Sequence, residues 1–231
     1  MLGSIKMRRT IYLVICVAFA LGVVVDAAAQ ESVLTQEQYY AALNGAYDKA
    51  SGRFPRSVEA VEERFEEGKQ VYLQKDHFKY AASDSWEHIL EVTENGKKHV
   101  SIYLVVGKFA YCKEGAKAFK RSRTQCQPDT LTAGPRFEKE SFSVKTVTIG
   151  GKALSLYRMY STRSSPNPDG HRTIFYTEQI VTINPDGTMA SLDSTDGSEN
   201  DDKEIFSKET RTYDYETKVP RIKAPPAARR R

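Results

Sequence analysis

The spacing of hydrophobic and polar residues predicts one amphipathic helix near the start of the chain. Thr35 begins this helix, and Gln38 three positions later completes a capping-box pattern. Gly52 and Pro55 end it, because neither residue continues a helix well. The apolar positions at helical spacing are Tyr39, Leu43, Ala46 and Tyr47. We therefore expect a helix that buries this one face.

Residues from Val71 onwards follow the pattern of β-strands separated by short turns. Alternating apolar and polar residues are typical of half-buried strands, and Asn95-Gly96 between two such runs is a strong hairpin signal. Gly150-Gly151 and residues 184–187 mark two further turns. Residues 57–70 have helical spacing in part, but the turn sequence that ends them favours a strand. The predicted strands are 71–73, 88–93, 98–106, 108–112, 141–149, 152–162, 172–183, 188–194 and 203–215.

This order of elements predicts an α+β fold, with about eight to ten antiparallel strands after one N-terminal helix. A helix of about sixteen residues covers little of such a sheet, because it rises only ~1.5 Å per residue. We therefore expect the sheet to curl into a half-barrel with a concave apolar face. The concavity either binds an apolar ligand or is filled by the aromatic side chains of the chain itself.

The first 29 residues have the pattern of a secretory signal peptide. Arg8 and Arg9 precede an apolar run over residues 11–25, and small residues at 27–29 form a cleavage signal. A membrane anchor is the alternative, but this run of about 15 residues is shorter than the roughly 20 that span a bilayer. We expect cleavage after Ala29 and a location in the periplasm or outside the cell. The predicted domains are the signal peptide at 1–29, one half-barrel domain at 30–226 and a basic disordered tail at 227–231.

Removal of the signal peptide leaves a nearly neutral chain with two cysteines. The formal net charge falls from +4 to about +2, and no basic stripe is present, which argues against nucleic acid as a partner. Cys112 and Cys126 are expected to form a disulfide, because an even pair of cysteines in an exported protein favours one. A metal pair or a nucleophilic thiol is the alternative, but no further cysteine or histidine lies at ligand spacing around either residue.

The sequence contains no recognisable catalytic, metal or cofactor motif. The four histidines are scattered, and no nucleophile elbow, zinc-protease motif or phosphate loop is present. We therefore expect a protein that is not an enzyme and that carries no cofactor or metal. The acidic run at 193–202 lacks the spacing of a calcium loop, so we interpret it as a solvated loop.

A basic segment that follows Cys112 is the candidate surface for lipid headgroups or a partner. Phe119 lies among its positive charges, and an ordinary solvated loop is the alternative interpretation. The basic residues are Lys113, Lys117, Lys120, Arg121 and Arg123.

Three stretches of the chain resemble the LolA/LolB-like periplasmic lipoprotein carriers, a superfamily that includes the LppX/LprG lipid carriers. Residues 100–112 resemble the strand of that family that presents an aromatic side chain. Residues 176–192 resemble its paired strands around a turn, and residues 209–225 resemble its closing strand and exit. The resemblance implies a half-barrel that holds acyl chains, and therefore carriage of lipids or lipoproteins. Contact with a membrane surface is a further expectation, which rests on the basic segment after Cys112.

Bulk and strand position select the side chains expected to line the concavity. They are Tyr72, Tyr80, Trp86, Ile89, Tyr103, Val105, Tyr111, Leu156 and Tyr176. A ligand-free scaffold of the cell envelope is the alternative function, in which these side chains form a packed core. The sequence makes no prediction of oligomeric state.

Overall fold

In the described part of the chain, one antiparallel sheet of twelve strands carries a single α-helix on one face. The computed structural model describes residues 31–122, 137–167, 171–199 and 203–225. The helix is α1 (Gln36–Gly52). The strands are β1 (Ser32–Leu34), β2 (Arg56–Glu66), β3 (Lys69–Ala82), β4 (Ser85–Glu94), β5 (Lys97–Val106), β6 (Phe109–Glu114), β7 (Lys120–Ser122), β8 (Lys139–Ile149), β9 (Lys152–Pro166), β10 (Arg172–Ile183), β11 (Met189–Glu199) and β12 (Lys203–Asp214).

Two antiparallel meanders meet in the middle of the sheet. Neighbouring strands follow the order β1-β8-β9-β10-β11-β12-β2-β3-β4-β5-β6-β7. The last strand, β12, pairs with β2 over residues Ser207 to Asp214. This pairing joins the C-terminal meander to the N-terminal one. The sheet is open, and β1 and β7 are its two edges.

The predicted half-barrel of eight to ten strands is wrong, because the sheet has twelve strands and is open. The strands that the sequence did not predict are the two edge strands β1 and β7, each three residues long. Three residues are too few to show a period of two, so only the pairing of β1 with β8 and of β7 with β6 defines them. The ambiguous segment 57–70 contributes β2, which confirms the preference for a strand there.

Local sequence signals account for the ends of α1 and for the β4–β5 hairpin. The side-chain oxygen of Thr35 accepts a hydrogen bond from the Gln38 amide at 3.2 Å, and the Gln38 side chain accepts one from the Thr35 amide at 2.9 Å. The predicted capping box is therefore confirmed. Asn95 and Gly96 both have positive φ, at 49° and 74°. That pair of left-handed residues is what a tight two-residue hairpin requires.

The hydrophobic core lies between α1 and strands β8 to β11. Tyr39 is fully buried and packs with Phe142 of β8 and Met159 of β9. A second cluster begins about two turns further along α1, where the small side chains of the helix allow it to approach the sheet closely. This cluster contains Ala46, Ala50, Val181, Ile183 and Met189. Burial of a valine, isoleucine, methionine or phenylalanine side chain in these clusters contributes about 1.5–3 kcal/mol to the free energy of unfolding.

Several predictions concern residues outside the described part of the chain. The predicted signal peptide at 1–29 and the basic tail at 227–231 lie there, as do Arg123 and Cys126. The division into domains therefore stays a prediction, and so does the disulfide between Cys112 and Cys126. Among the residues that are described, no helix is both long enough and apolar enough to cross a membrane.

Candidate ligand-binding cavity

The pairing register shows which side chains share the face of the sheet that carries α1. Directly opposed residues of antiparallel strands project from the same face. A row of such partners can be followed from Val181, which packs under α1, across to β4. The row is Val181, Leu192, Arg211, Ala60, Asp76 and Leu90. The helix covers the start of this row, and the sheet continues beyond it.

A cavity of about 610 Å³ lies beside α1 on this same face, over strands β12, β2, β3 and β4. Its size is within the usual range for small-molecule sites, roughly 300–1,000 Å³. The helix contributes Tyr47, Ala50 and Ser51 to the wall. The sheet contributes Arg56, Val58, Ala60, Glu62, Arg64, Gln74, Asp76, Phe78, Tyr80, His88, Leu90, Glu209, Arg211 and Tyr213.

Aromatic and small apolar side chains form one end of the cavity, next to the helix. Val58 and Ala60 are buried in its floor on β2. On β3, the rings of Phe78 and Tyr80 stand nearly parallel, with centroids 6.1 Å apart. Burial raises the pKa of Tyr80. The hydroxyl of this side chain is therefore neutral at physiological pH, and this end of the cavity presents no phenolate charge.

Arg56 holds the C-terminal end of α1 against the wall of the cavity. Its Nη1 donates hydrogen bonds to the carbonyl oxygens of Ala50 and Ser51, both at 2.8 Å. Its guanidinium also lies over the ring of Tyr80, 4.1 Å from the centroid. A cation at this position satisfies helix carbonyls that have no partner within the helix, and it interacts favourably with the negative end of the helix dipole.

Paired charges form the opposite end of the cavity. Arg64 Nε donates to Glu62 Oε1 at 2.7 Å, and Arg211 Nε donates to Glu209 Oε1 at 2.5 Å. Burial opposes the charge of Arg211, but the carboxylate of Glu209 outweighs it and raises the pKa of the guanidinium. Each arginine at this end therefore has its own carboxylate partner.

A buried histidine and aspartate lie between these two ends. His88 Nε2 and Asp76 Oδ1 are 2.6 Å apart, and each residue is 8% exposed. The imidazole lies between two aromatic rings. Its centroid is 4.0 Å from that of Phe78 on β3 and 5.4 Å from that of Tyr103 on β5. The His88 ring is thus held in place on both sides.

The nine predicted ligand-lining residues divide between the two faces of the sheet. Tyr80 lines the cavity. Tyr72, Trp86, Tyr103 and Val105 lie on the same face as the cavity, as their cross-strand partners show. The residues on the opposite face are Ile89, Tyr111, Leu156 and Tyr176. Adjacent strand residues point to opposite faces, so a choice by bulk and strand position, made without the pairing register, cannot separate the two groups.

Sequence reasoning missed the charged and hydrogen-bonding residues of the cavity other than Tyr80, and these include Arg56, Asp76 and His88. One signal was present in β3, where alternate positions from Tyr72 to Tyr80 are all aromatic or polar groups able to form hydrogen bonds. His88 is twelve positions from Asp76, and only the β3–β4 register brings the two together. In the described ranges, no three histidine, cysteine, aspartate or glutamate side chains converge as metal ligands.

The predicted headgroup-binding residues lie away from this cavity, on and beside β6 and β7. Lys117 forms an ion pair with Glu114 at 3.1 Å. The Arg121 guanidinium lies over the ring of Phe109, 3.7 Å from its centroid. Lys113 and Lys120 are residues of β6 and β7, and Arg123 lies outside the described residues. The structure therefore brings the four described residues to the β7 edge of the sheet, on and beside the two strands that follow β5.

Comparison with known proteins yields a remote structural likeness. No family model matches the chain, and no curated protein matches it. Among solved structures, the crystal structure of LprF from Mycobacterium bovis has a TM-score of 0.36 and 11% sequence identity. The alignment covers 80% of this chain and 97% of that one. At this level of similarity, the likeness does not transfer a function, a ligand or a site residue to this chain.

Proposed function

We propose that this chain binds an amphipathic small molecule, whose apolar part lies in the cavity beside the C-terminal half of α1. One observation carries the proposal: α1 covers strands β8 to β11 but leaves a cavity of about 610 Å³ over β12 to β4. One end of that cavity is aromatic and apolar, and the other is polar. Each methylene group removed from water there contributes about 0.8 kcal/mol to binding.

The proposed ligand carries an acyl or similar hydrocarbon chain, as the lipids and lipoproteins of a cell envelope do. We propose further that the protein is exported to the periplasm or the exterior and carries this ligand there. N-terminal sequencing of the exported protein tests the location. A mature chain that begins at Gln30 supports it, and a chain retained with residues 1–29 in the cytoplasm contradicts it.

We propose binding without catalysis. A buried histidine–aspartate pair is also the acid–base part of many hydrolases, but those enzymes need a nucleophile next to the histidine. Over the described ranges, no serine or threonine hydroxyl forms a hydrogen bond with His88, whose partner is Asp76. Hydrolysis of acyl esters by the purified protein, lost on replacing His88, would contradict this part of the proposal.

Native mass spectrometry of the purified mature protein, followed by solvent extraction, tests ligand binding directly. The expected result is a protein mass with a bound amphiphile that solvent extraction removes. A ligand-free mass would favour the alternative of an envelope scaffold. That outcome contradicts the proposal if titration with dodecyl-chain amphiphiles also produces no complex.

A matched pair of variants locates the ligand within the sheet. Ala60 is on the cavity floor and is 8% exposed. Its neighbour Val61 projects from the opposite face, across from Lys75 and Thr210. Ala60→Phe places a ring in the cavity and should weaken binding of a dodecyl amphiphile at least tenfold. Val61→Phe adds the same ring on the other face and should leave binding unchanged. Equal effects of the two variants would place the ligand elsewhere.

Contact of the basic edge with an anionic membrane is a separate part of the proposal. It is tested by reversing the charges of Lys117, Lys120 and Arg121 and measuring co-sedimentation with phosphatidylglycerol vesicles. Binding that falls in the variant supports the contact, because the electrostatic attraction between the basic groups and the vesicle is removed. Binding that does not change contradicts it.

A further inference from the structure

The ring nitrogens of His88 differ in their surroundings, and Asp76 determines which one carries the proton. Nε2 lies 2.6 Å from Asp76 Oδ1, a distance that places the shared proton between them. An ionised carboxylate only accepts hydrogen bonds, so Nε2 is the donor. In the neutral imidazole, Nδ1 is then unprotonated and is a hydrogen-bond acceptor.

A chain of hydrogen bonds along β3 holds Asp76 in place as the acceptor. Its second oxygen, Oδ2, accepts a hydrogen bond from Gln74 Nε2 at 2.7 Å. Gln74 Oε1 in turn accepts one from the Tyr72 hydroxyl at 2.6 Å. Tyr72, Gln74 and Asp76 are alternate residues of one strand and therefore share a face. The direction of this chain fixes the Gln74 amide with its nitrogen towards Asp76, so that Asp76 Oδ2 accepts.

His88 Nδ1 is left for a ligand. In the part of the chain that the structure describes, the only hydrogen-bond partner of His88 is Asp76, at Nε2. No buried side-chain nitrogen or oxygen among these residues lacks a partner. Nδ1 is therefore not sealed within the protein. His88 lines the cavity, and its ring is held between Phe78 and Tyr103, so the orientation of Nδ1 is fixed.

The formal charges of the cavity lining balance, because three guanidinium groups (Arg56, Arg64 and Arg211) and three carboxylates (Glu62, Asp76 and Glu209) line it. The charges of Arg64 and Arg211 are paired with carboxylates on the same strands as themselves. The third guanidinium, that of Arg56, donates to the carbonyl oxygens at the end of α1. A ligand with a charged head would lose its hydration without gaining a net counter-charge from this lining. A neutral head with a hydroxyl group meets no such cost.

We propose that the cavity recognises an uncharged, hydroxyl-bearing amphiphile, whose hydroxyl donates a hydrogen bond to His88 Nδ1. This inference rests on the proposed function and adds the class of headgroup to it. Asp76 is a positioning residue in this arrangement. It holds the tautomer in which Nδ1 accepts, and Gln74 and Tyr72 hold Asp76.

Three amphiphiles with chains of the same dodecyl length separate the contribution of the headgroup to the binding affinity from that of the apolar chain. They are 1-monolauroylglycerol, laurate and dodecyltrimethylammonium, each titrated calorimetrically below its critical micelle concentration. The glycerol ester is expected to bind about tenfold more tightly than either charged amphiphile, the effect of one ligand hydrogen bond that has no counterpart for the charged heads. Equal affinities for all three would overturn the inference and leave the proposed function standing. Failure of all three to bind would contradict the proposed function itself.

The variant His88→Phe removes the acceptor and keeps a ring between the two neighbouring rings. We expect the affinity for the glycerol ester to fall about tenfold, to the level of the charged amphiphiles. His77→Phe is the matched control, because His77 is on β3 but on the opposite face, beside Glu59. It should leave all three affinities unchanged. An unchanged affinity of folded His88→Phe for the glycerol ester would overturn the inference.

The wild-type protein supplies a second readout that does not depend on a variant that folds. Imidazole ¹⁵N chemical shifts distinguish a protonated ring nitrogen from an unprotonated one. At pH 7.5, His88 should have a proton on Nε2 and none on Nδ1, and the Nδ1 resonance should shift when the glycerol ester is added. A proton on Nδ1, or an Nδ1 resonance that does not respond to bound ester, would overturn the inference.

Discussion

Replacement of Gly197 by alanine should destabilise the protein, because β11 has no room for a side chain at this position. An ideal Cβ atom built on Gly197 lies 2.2 Å from the carbonyl oxygen of Glu204 on β12. It also lies 2.8 Å from Cε1 and Cζ of Tyr176 on β10. The Tyr176 side chain is 2% exposed and its ring stacks on that of Tyr160. The ring of Tyr176 thus covers the backbone of Gly197.

The two contacts set the size of the expected effect. Ordinary contacts of a Cβ atom begin at about 3.4 Å, so the Glu204 oxygen would have to move by more than 1 Å. That oxygen belongs to the backbone and cannot rotate away as a side chain could. Overpacking of this kind costs about 1–3 kcal/mol or more, and the gain of alanine over glycine in a strand offsets about 0.5–1 kcal/mol. Because the blocking atom is a backbone oxygen, the upper end of the overpacking cost applies, and we expect a net loss of about 2 kcal/mol.

Gly45 offers a matched control for the same substitution. It lies within α1, and an added Cβ there has no atom within 4 Å. Alanine should therefore stabilise the helix by about 1 kcal/mol, the difference in helix propensity between the two residues. Urea unfolding of the wild type, Gly197→Ala and Gly45→Ala should give free energies of unfolding about 3 kcal/mol apart between the two variants. A Gly197→Ala protein as stable as the wild type would refute the reasoning, as would loss of stability in Gly45→Ala.

Two further predictions concern polar groups that fasten α1 to the sheet. The Tyr39 hydroxyl donates to Gln179 Oε1 at 3.0 Å, so Tyr39→Phe should lower the free energy of unfolding by about 1 kcal/mol in urea titrations; a variant with wild-type stability would contradict this. Hydrogen bonds from the side chain and backbone of Thr188, together with Arg53, lower the pKa of Asp186. A lowered pKa in the folded state stabilises the protein above the unfolded value, near 3.8, and this contribution is lost as the pH falls through the folded value. Asp186→Asn should therefore be less stable than the wild type at pH 7, and thermal melts from pH 7 to pH 2 should show the difference shrinking; a constant difference would contradict the assignment.

Local chemistry accounts for the features that the sequence predicted correctly. The capping box of Thr35 and Gln38 and the hairpin turn at Asn95-Gly96 each involve residues within three positions of one another. Their outcome depends on backbone preference and on hydrogen bonds to the nearest amides, and these are properties of the residues themselves. Most of the strands were predicted for a similar reason, since alternation over ten residues is visible without knowledge of the partner strand.

Tertiary structure alone decided the number of strands and the position of the cavity. The edge strands β1 and β7 are strands only because longer neighbours pair with them. The cavity exists because β12 pairs with β2, which extends the face under α1 further than one helix can cover. Nothing within a few residues of either strand specifies that pairing. It depends on the burial of apolar surface across the whole sheet.

The pairing of Asp76 with His88 shows the same limit at the level of single side chains. Each residue taken alone has the sequence context of an ordinary polar strand position. The β3–β4 register pairs Asp76 with Leu90 and His88 with Phe78, which makes the two polar side chains diagonal neighbours within hydrogen-bond distance. A shift of one residue would turn either side chain to the other face. The sequence by itself therefore determined the helix, the hairpin and most strands, whose causes are local. The tertiary structure decided which side chains share a face and enclose the cavity, because those relations arise only when distant strands pair.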